Sequence, residues 1–438
     1  MNWTVLRERL EGVDPFVVRG KVSKAVGLLI EGTGVWAPIG AKASILSVDG
    51  SKRVHGEVVG FQDKRLFFMA LEGILGIGPG SLIQMEGGRN VVRVGAKLLG
   101  RVIDGLGHPL DGKGPPCGEV DYPLYQTPVN PMTRRRIFEP LDLGIRALNG
   151  LLTCGQGQRL GIFAGSGVGK STLLGMIARN TEAEVNVIAL IGERGREVNE
   201  FLEGSLGREG VAKSVVVVAT SDQPPLLRKR GAFLAMAIAE YFRDRGKKVL
   251  FMMDSITRFA MAQREIGLAV GEPPATKGYP PSVFSMLPMF LERLGNTSGS
   301  GSITGICTIL VEGDDLSDPI ADTVRSILDG HVVLSRDLVA QGHYPSIDVL
   351  ESVSRVMTSV VSPEHRAAAQ RIKALMAAYR RAADLISIGA YKEGTDPEVD
   401  RAMRNRSRID DYLRQTTEQA VSLKDSLDAL CRMVQEIG

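Results

Sequence analysis

Paired cysteines are missing from this 438-residue chain. Its four cysteines, Cys117, Cys154, Cys307 and Cys431, are scattered and make no C-x-x-C or zinc-type spacing. That excludes a disulfide framework and suits a reducing compartment. The five histidines are equally dispersed and form no H-E-x-x-H, which excludes that zinc-hydrolase motif. No apolar run approaches membrane-spanning length. The opening Met1 to Leu10 mixes acids and bases where a signal peptide would be apolar. A cytosolic protein is expected, able to dock on a membrane-bound partner. Charge of one sign is also lacking. A net +3 is too near zero to decide for or against nucleic acid. The runs Arg134-Arg135-Arg136 and Arg228-Lys229-Arg230 are short and suit solvated or salt-bridged faces.

What the chain does have is glycine in one telling place. Arg159 to Ala164 is a short apolar run that suits a buried strand. Gly165, Gly167 and Gly169 follow at alternate positions, then Lys170, Ser171 and Thr172, then apolar text to Ala178 that suits a helix. Strand, glycine loop and helix with Lys-Ser form the phosphate-binding loop pattern. The loop, Gly165 to Thr172 with Ser166 and Val168 between the glycines, turns backbone N–H groups inward as an anion nest. The helix N-terminus adds partial positive charge. Lys170 would reach the β- and γ-phosphates and Ser171 would ligate Mg²⁺. The full pattern wants Gly where Ala164 stands, a small departure that costs little unless φ is positive there. A dinucleotide loop fits worse, because its third glycine is misplaced and Lys-Ser is left without a role.

The length allows two or three domains. Val5, Leu6, Leu10 and Val13 give a loose helical stripe near the start, equally consistent with a frayed terminus. From Val17 to about Val94, short β-type runs alternate with Gly/Asp turns and predict a small barrel or sandwich. The runs are Val17-Val18, Leu28–Ile30, Ala43–Val48, Glu57–Phe61, Leu66–Ala70 and Leu82–Met85. A Pro/Gly-rich stretch through Pro131 reads as an irregular link. Beyond Arg136, apolar runs at Val185–Ile191, Ser214–Thr220, Lys248–Met253 and Ile303–Val311 alternate with helical text. The helical stretches are Ser171–Asn180, about Glu197–Leu206, Pro224–Arg243 and Ser255–Ile266. This predicts an α/β core with a parallel sheet covered on both faces. Ser362-Pro363-Glu364 starts a C-terminal helical region.

Ligands on parallel sheets bind at the carboxyl ends of the strands. Asp254 ends one apolar run, either as an N-cap or holding the Mg²⁺ shell. Glu193 follows another and is placed to polarise an attacking water. Glu197 is the second candidate, more readily a partner of Arg194 or Arg196. Tyr344, before Pro345, is either a base-stacking ring or a packing tyrosine. Arg355 is either an ordinary salt-bridge partner or a residue that reaches a neighbour's γ-phosphate in a ring.

Taken together, these phrases resemble the type III export ATPases, relatives of the rotary ATP synthase catalytic subunit. They are Gly161-Ile-Phe-Ala-Gly-Ser-Gly-Val-Gly-Lys-Ser-Thr172, Gly192-Glu-Arg-Gly-Arg-Glu-Val198, the stretch from Met253 to Gly267, Gly271-Glu-Pro-Pro-Ala-Thr-Lys-Gly-Tyr-Pro280, Asp314-Asp315-Leu-Ser-Asp-Pro319 and Tyr344 through Arg355. The loop and Thr220-Ser-Asp-Gln-Pro-Pro225 look most like the flagellar branch, with the injectisome branch the near alternative. The resemblance covers nearly the whole chain. It implies a partner-binding segment at 1–18, a β-barrel at 19–94, a RecA-like P-loop ATPase domain at 95–361 and a helical domain at 362–438. By matching position it implies Lys170, Glu193 and Arg355 as catalytic, with Arg355 the arginine finger. It also implies Ser171 and Asp254 on the Mg²⁺ side and Tyr344 against adenine. Ala164 then matches the family. The likeness further implies a homohexamer, a stator-like regulator at the N-terminus, and an export gate with chaperones and substrates. Its setting would be the inner face of the bacterial cytoplasmic membrane. A rotary synthase subunit, a non-catalytic nucleotide-binding subunit and an RNA translocase are the rivals. The acidic Glu193 speaks against the second. Near-neutral charge and the lack of an aromatic stacking platform speak against RNA.

Overall fold

The computed structural model describes residues 18–87, 90–115, 118–311 and 317–437. The short helix expected through Val13 and the stretch Asp314-Asp315-Leu316 lie outside them.

Six strands close a barrel in the order β1-β2-β5-β4-β3-β6. They are β1 (Arg19–Val26), β2 (Leu29–Thr33), β3 (Lys42–Leu46), β4 (Arg53–Gln62), β5 (Arg65–Ala70) and β6 (Leu82–Met85). Ile30, Ile45, Val54, Phe68 and Ile83 fill its interior. Gly32 faces inward too, where a Cβ would collide with Ile83. Of the expected Val17-Val18 strand, Val17 lies outside the described residues, and β1 begins at Arg19, just past Val18. Within β1 only Gly20 and Val22 point inward, so its text of Arg and Lys hides a closing strand.

The central sheet is also as expected in class, with strand order β17-β16-β10-β15-β13-β11-β12-β8. Before it, β7 (Val91–Val94) and β9 (Val120–Pro123) pair as a ribbon flanking β8 (Arg101–Asp104). β10 (Arg159–Ala164), β11 (Val185–Ile191), β12 (Ser214–Ala219), β13 (Lys248–Asp254) and β15 (Ser302–Leu310) are parallel neighbours. β14 (Gly295–Asn296) adds to β15 antiparallel. β16 (Gly330–Leu334) runs parallel to β10, and β17 (Ile347–Ser354) closes that edge antiparallel. The segment read as an irregular link is therefore partly structural. β8 pairs in parallel with β12, Val102 opposite Val216. Its own text is anchored by Arg101, whose guanidinium forks onto the Asp111 carboxylate at 2.7 and 2.9 Å.

Both faces of this sheet are dry, which is why its strands read as continuous apolar runs. Along β11, Ile188 and Leu190 pack on the face covered by α1 (Lys170–Asn180). Val185, Val187, Ala189 and Ile191 pack on the other. There α2 (Pro225–Asp244) contributes Leu234, Ala235 and Ile238. The C-terminal region is helical: α3 (Pro363–Ser387), α4 (Pro397–Leu413) and α5 (Leu423–Ile437). Ser362 caps α3 by accepting from the His365 N–H at 3.2 Å, with Pro363 at the first helical position. The Ala368, Ile372 and Leu375 stripe buries against the core.

Barrel and core meet at an apolar cluster of Met69, Leu71, Leu226, Leu227 and Ile266 and across a buried ion pair. Arg230 of α2 donates to Glu57 of β4 at 2.5 Å, with side chains 5% and 3% exposed. The Tyr125 hydroxyl donates to the other Glu57 oxygen at 3.1 Å, and Asn90 Oδ1 accepts from Arg230 at 3.1 Å. Glu57→Leu strands a buried guanidinium, so a loss of about 3–5 kcal/mol is expected, read as a lowered urea midpoint. Adding Arg230→Met to it restores most of the loss, because two apolar partners need no solvation. A single variant as stable as wild type refutes this role.

Candidate active site

β10 delivers the chain to the glycine loop at buried Ala164, and α1 begins at Lys170. Gly167 and Gly169 have φ of 78° and 89°, the left-handed region that side chains avoid. Ser166, Ser171 and Thr172 are exposed at the mouth, and Val168 is buried.

Lys170 does not point into solvent. Its Nζ donates to Asp254 Oδ1 at 2.6 Å and lies 3.5 Å from Glu193 Oε1. The register explains the meeting. β11 and β13 are parallel neighbours with Leu190 opposite Asp254, so Glu193 emerges just past the same sheet edge. Thr308 of β15 donates to Asp254 Oδ1 at 2.8 Å and fixes the carboxylate from the other side. Burial pulls the Lys170 ammonium down, but Asp254 and Glu193 outweigh it, and its pKa is raised. Glu193 moves the opposite way from an ordinary acid. Burial, then the charge of Asp254, push it up to about 8, against the pull of Lys170. Its Oε1 is buried without a hydrogen-bond partner. Glu197 is ionised, held low by its hydrogen bond with Glu193. It also pairs with Arg194 at 3.7 Å. Arg196 pairs with Glu200 at 3.4 Å.

The helix expected at 197–206 is longer and broken. It runs from Gly195 to Glu200, changes to a π-helical turn over Phe201–Leu206, and resumes to Ala212. That turn presses on α1, where a Cβ on Gly175 would come within 2.5 Å of the Ser205 carbonyl oxygen.

Two expected residues lie apart from this trio. Tyr344 is 49% exposed on the loop before β17. Arg355 follows β17, at the sheet edge two strands from β10. It is exposed, and its Nη2 donates only weakly to the Arg325 carbonyl at 3.4 Å. Three residues went unread in the sequence. Thr308 is a polar residue inside an apolar run, a detectable signal. Arg258 packs on Gly192 with its Nε buried and unpartnered. Ser346 bonds the glycine loop, which no spacing announces.

The donors on hand suit Mg²⁺. Ser171 and Asp254 offer hard oxygen ligands, and Mg²⁺ keeps waters and substrate oxygens for the rest. Among the described residues no group of three His, Cys, Asp or Glu forms a self-sufficient metal cage, as a phosphate-dependent site needs none.

Residues 144–354 match the ATP synthase alpha/beta family nucleotide-binding domain, and 361–432 match the T3SS EscN ATPase C-terminal domain. A Bacillus subtilis protein named flagellum-specific ATP synthase is 51% identical over 98% of both chains. This chain belongs to the type III export ATPases. The Salmonella typhimurium flagellum-specific ATP synthase is 51% identical, over 94% of this chain and 92% of its own. A Xanthomonas euvesicatoria type 3 secretion system ATPase is 48% identical over 95% and 94%. The assembled EscN of enteropathogenic E. coli superposes with a TM-score of 0.88 at 47% identity, covering 95% of this chain and all of that one. As an export ATPase, the chain carries this family's nucleotide-binding domain around the Lys170 trio, with the barrel before it and helices after it.

Proposed function

We propose that this ATPase hydrolyses Mg²⁺–ATP to power or assist flagellar type III protein export at the cytoplasmic face of the membrane. The observation that carries it is the meeting of Lys170, Asp254 and Glu193 at one sheet edge, 2.6 and 3.5 Å apart. The glycine-loop N–H groups cradle the phosphates and Lys170 neutralises β- and γ-charge. Ser171 and Asp254 would hold Mg²⁺, which supplies charge neutralisation on the phosphate oxygens. Glu193 orients the attacking water and receives its proton as the water oxygen bonds to the γ-phosphorus and the bond to the bridging oxygen breaks. Glu193 must be ionised to take that proton. Pushed up to about 8 here, it is a stronger base than an ordinary carboxylate once ionised, so turnover should rise with pH through that range. Tyr344 offers its exposed ring to the base, and Arg355 serves the next subunit's site.

A ring of identical subunits follows from that last assignment, since one chain then carries both halves of a site. The resemblance to the assembled EscN supports a homohexamer. EscN has been solved with a central stalk, EscO, which supports a stalk- or stator-like partner here. Residues 1–18 are proposed as the regulator's contact, 19–94 as the barrel, 95–361 as the motor and 362–438 as the helical output, facing export gate, chaperones and substrates. No helix among the described residues is long and apolar enough to cross a membrane, in keeping with peripheral attachment. Three flagellum-specific relatives are 50–51% identical over 94% or more of this chain, against 53% over 79% for a solved type III secretion ATPase. The type 3 secretion relative at 48% keeps an injectisome role as the second reading.

Specific ATPase activity against protein concentration is the direct test. A cooperative rise is expected, because a site shared between subunits exists only in the assembly. Constant specific activity down to monomer concentrations overturns the shared site, and no activity from this chain alone favours a synthase-type partner.

A further inference from the structure

The glycine loop is held from outside by a residue that its own pattern does not contain. We propose that Ser346 is a positioning residue for the phosphate nest. The inference rests on the phosphate-loop reading above. The Ser346 hydroxyl donates to the Val168 carbonyl at 2.7 Å. Both residues are only 2% exposed. Val168 lies between the two left-handed glycines, Gly167 and Gly169. A nest works by presenting N–H groups to the anion, so its carbonyls must face away and find donors elsewhere. At Val168 water is excluded, and Ser346 supplies the donor.

Ser346 is itself fixed. Its carbonyl accepts from the Ser335 N–H at 2.9 Å, just past β16, the strand beside β10. Two residues earlier, the Tyr344 carbonyl accepts from the Gln415 N–H at 2.9 Å, just past α4. The loop carrying Tyr344 is thus tied to the core sheet, the C-terminal helices and the nest at once. A serine hydroxyl at this point sets the distance between the base end and the phosphate end of the site. Alanine at 346 leaves the fold intact but frees the Val168 peptide to turn its oxygen toward the anion.

The test compares wild type with Ser346→Ala, Ser346→Thr and Lys170→Ala, using Mg²⁺–ATP as the probe. Binding, KM, kcat and amide exchange over residues 165–171 are measured. Ser346→Ala is expected to raise Kd and KM by roughly 3- to 10-fold, the range of one lost hydrogen bond, and to speed exchange in the loop. kcat at saturation stays within about twofold, because substrate binding re-forms the nest. Ser346→Thr keeps the hydroxyl and recovers the wild-type Kd. A merely structural serine would lower the melting temperature without this split between KM and kcat. Unchanged Kd and loop exchange in Ser346→Ala, with binding abolished by Lys170→Ala, overturns the positioning role alone. Retained binding in Lys170→Ala overturns the phosphate-loop reading and this proposal together.

Discussion

Glu193→Gln is expected to bind ATP as wild type does and to lose about 10²- to 10⁴-fold in kcat, the span of a positioned general base. The substitution is nearly isosteric. It keeps an oxygen where Oε1 now sits buried without a donor, but it cannot accept a proton at neutral pH. Lys170 keeps its shorter and stronger contact, the 2.6 Å bond to Asp254, so phosphate binding is preserved. The competing role for Glu193 is a plain counter-charge for Lys170. In that case the damage would appear in affinity and leave saturated turnover near wild type. Equilibrium nucleotide binding beside steady-state turnover separates the two. Glu200→Gln is the internal control, for its carboxylate pairs with Arg196 on the exposed side, and only a small change in kcat is expected.

Much of this candidate site is legible in the sequence, for a physical reason. β11 and β13 are buried on both faces, so their apolar runs were continuous. The residues that broke each run, Glu193 and Asp254, marked the sheet edge. β8 was missed because four residues containing Arg101 and Asp104 carry no such run. Its membership of the sheet depends on pairing with β12 over a hundred residues away in sequence. β17 was missed because it is an edge strand with alternating exposure. The two hydroxyls that trim the site, Thr308 and Ser346, come from distant segments brought together only by strand order. Spacing reports neighbours along the chain, and these are neighbours across the sheet. The π-helical turn after Glu193 was equally hidden, since its text reads as ordinary helix.

Arg355→Ala is expected to lower turnover of the assembled enzyme by about 10³- to 10⁵-fold, the measure of an arginine that meets transition-state charge. Nucleotide binding to the isolated subunit should stay nearly intact. The geometry supports that split. Within its own chain Arg355 touches none of Lys170, Glu193 or Asp254, and its guanidinium stands exposed at the sheet edge with one 3.4 Å bond. Among the described residues no carboxylate pairs with this guanidinium, which speaks against an ordinary salt-bridge role. The decisive version mixes two dead variants. A Glu193→Gln subunit keeps Arg355, and an Arg355→Ala subunit keeps Glu193. In a randomly mixed ring about one interface in four joins the intact halves. Activity should therefore return to about a quarter of wild type, less whatever cooperation between sites is lost. If Arg355 served its own subunit's nucleotide, no interface in the mixed ring would hold a complete site. The mixture would then be as inactive as its components, and the shared site would have to be abandoned.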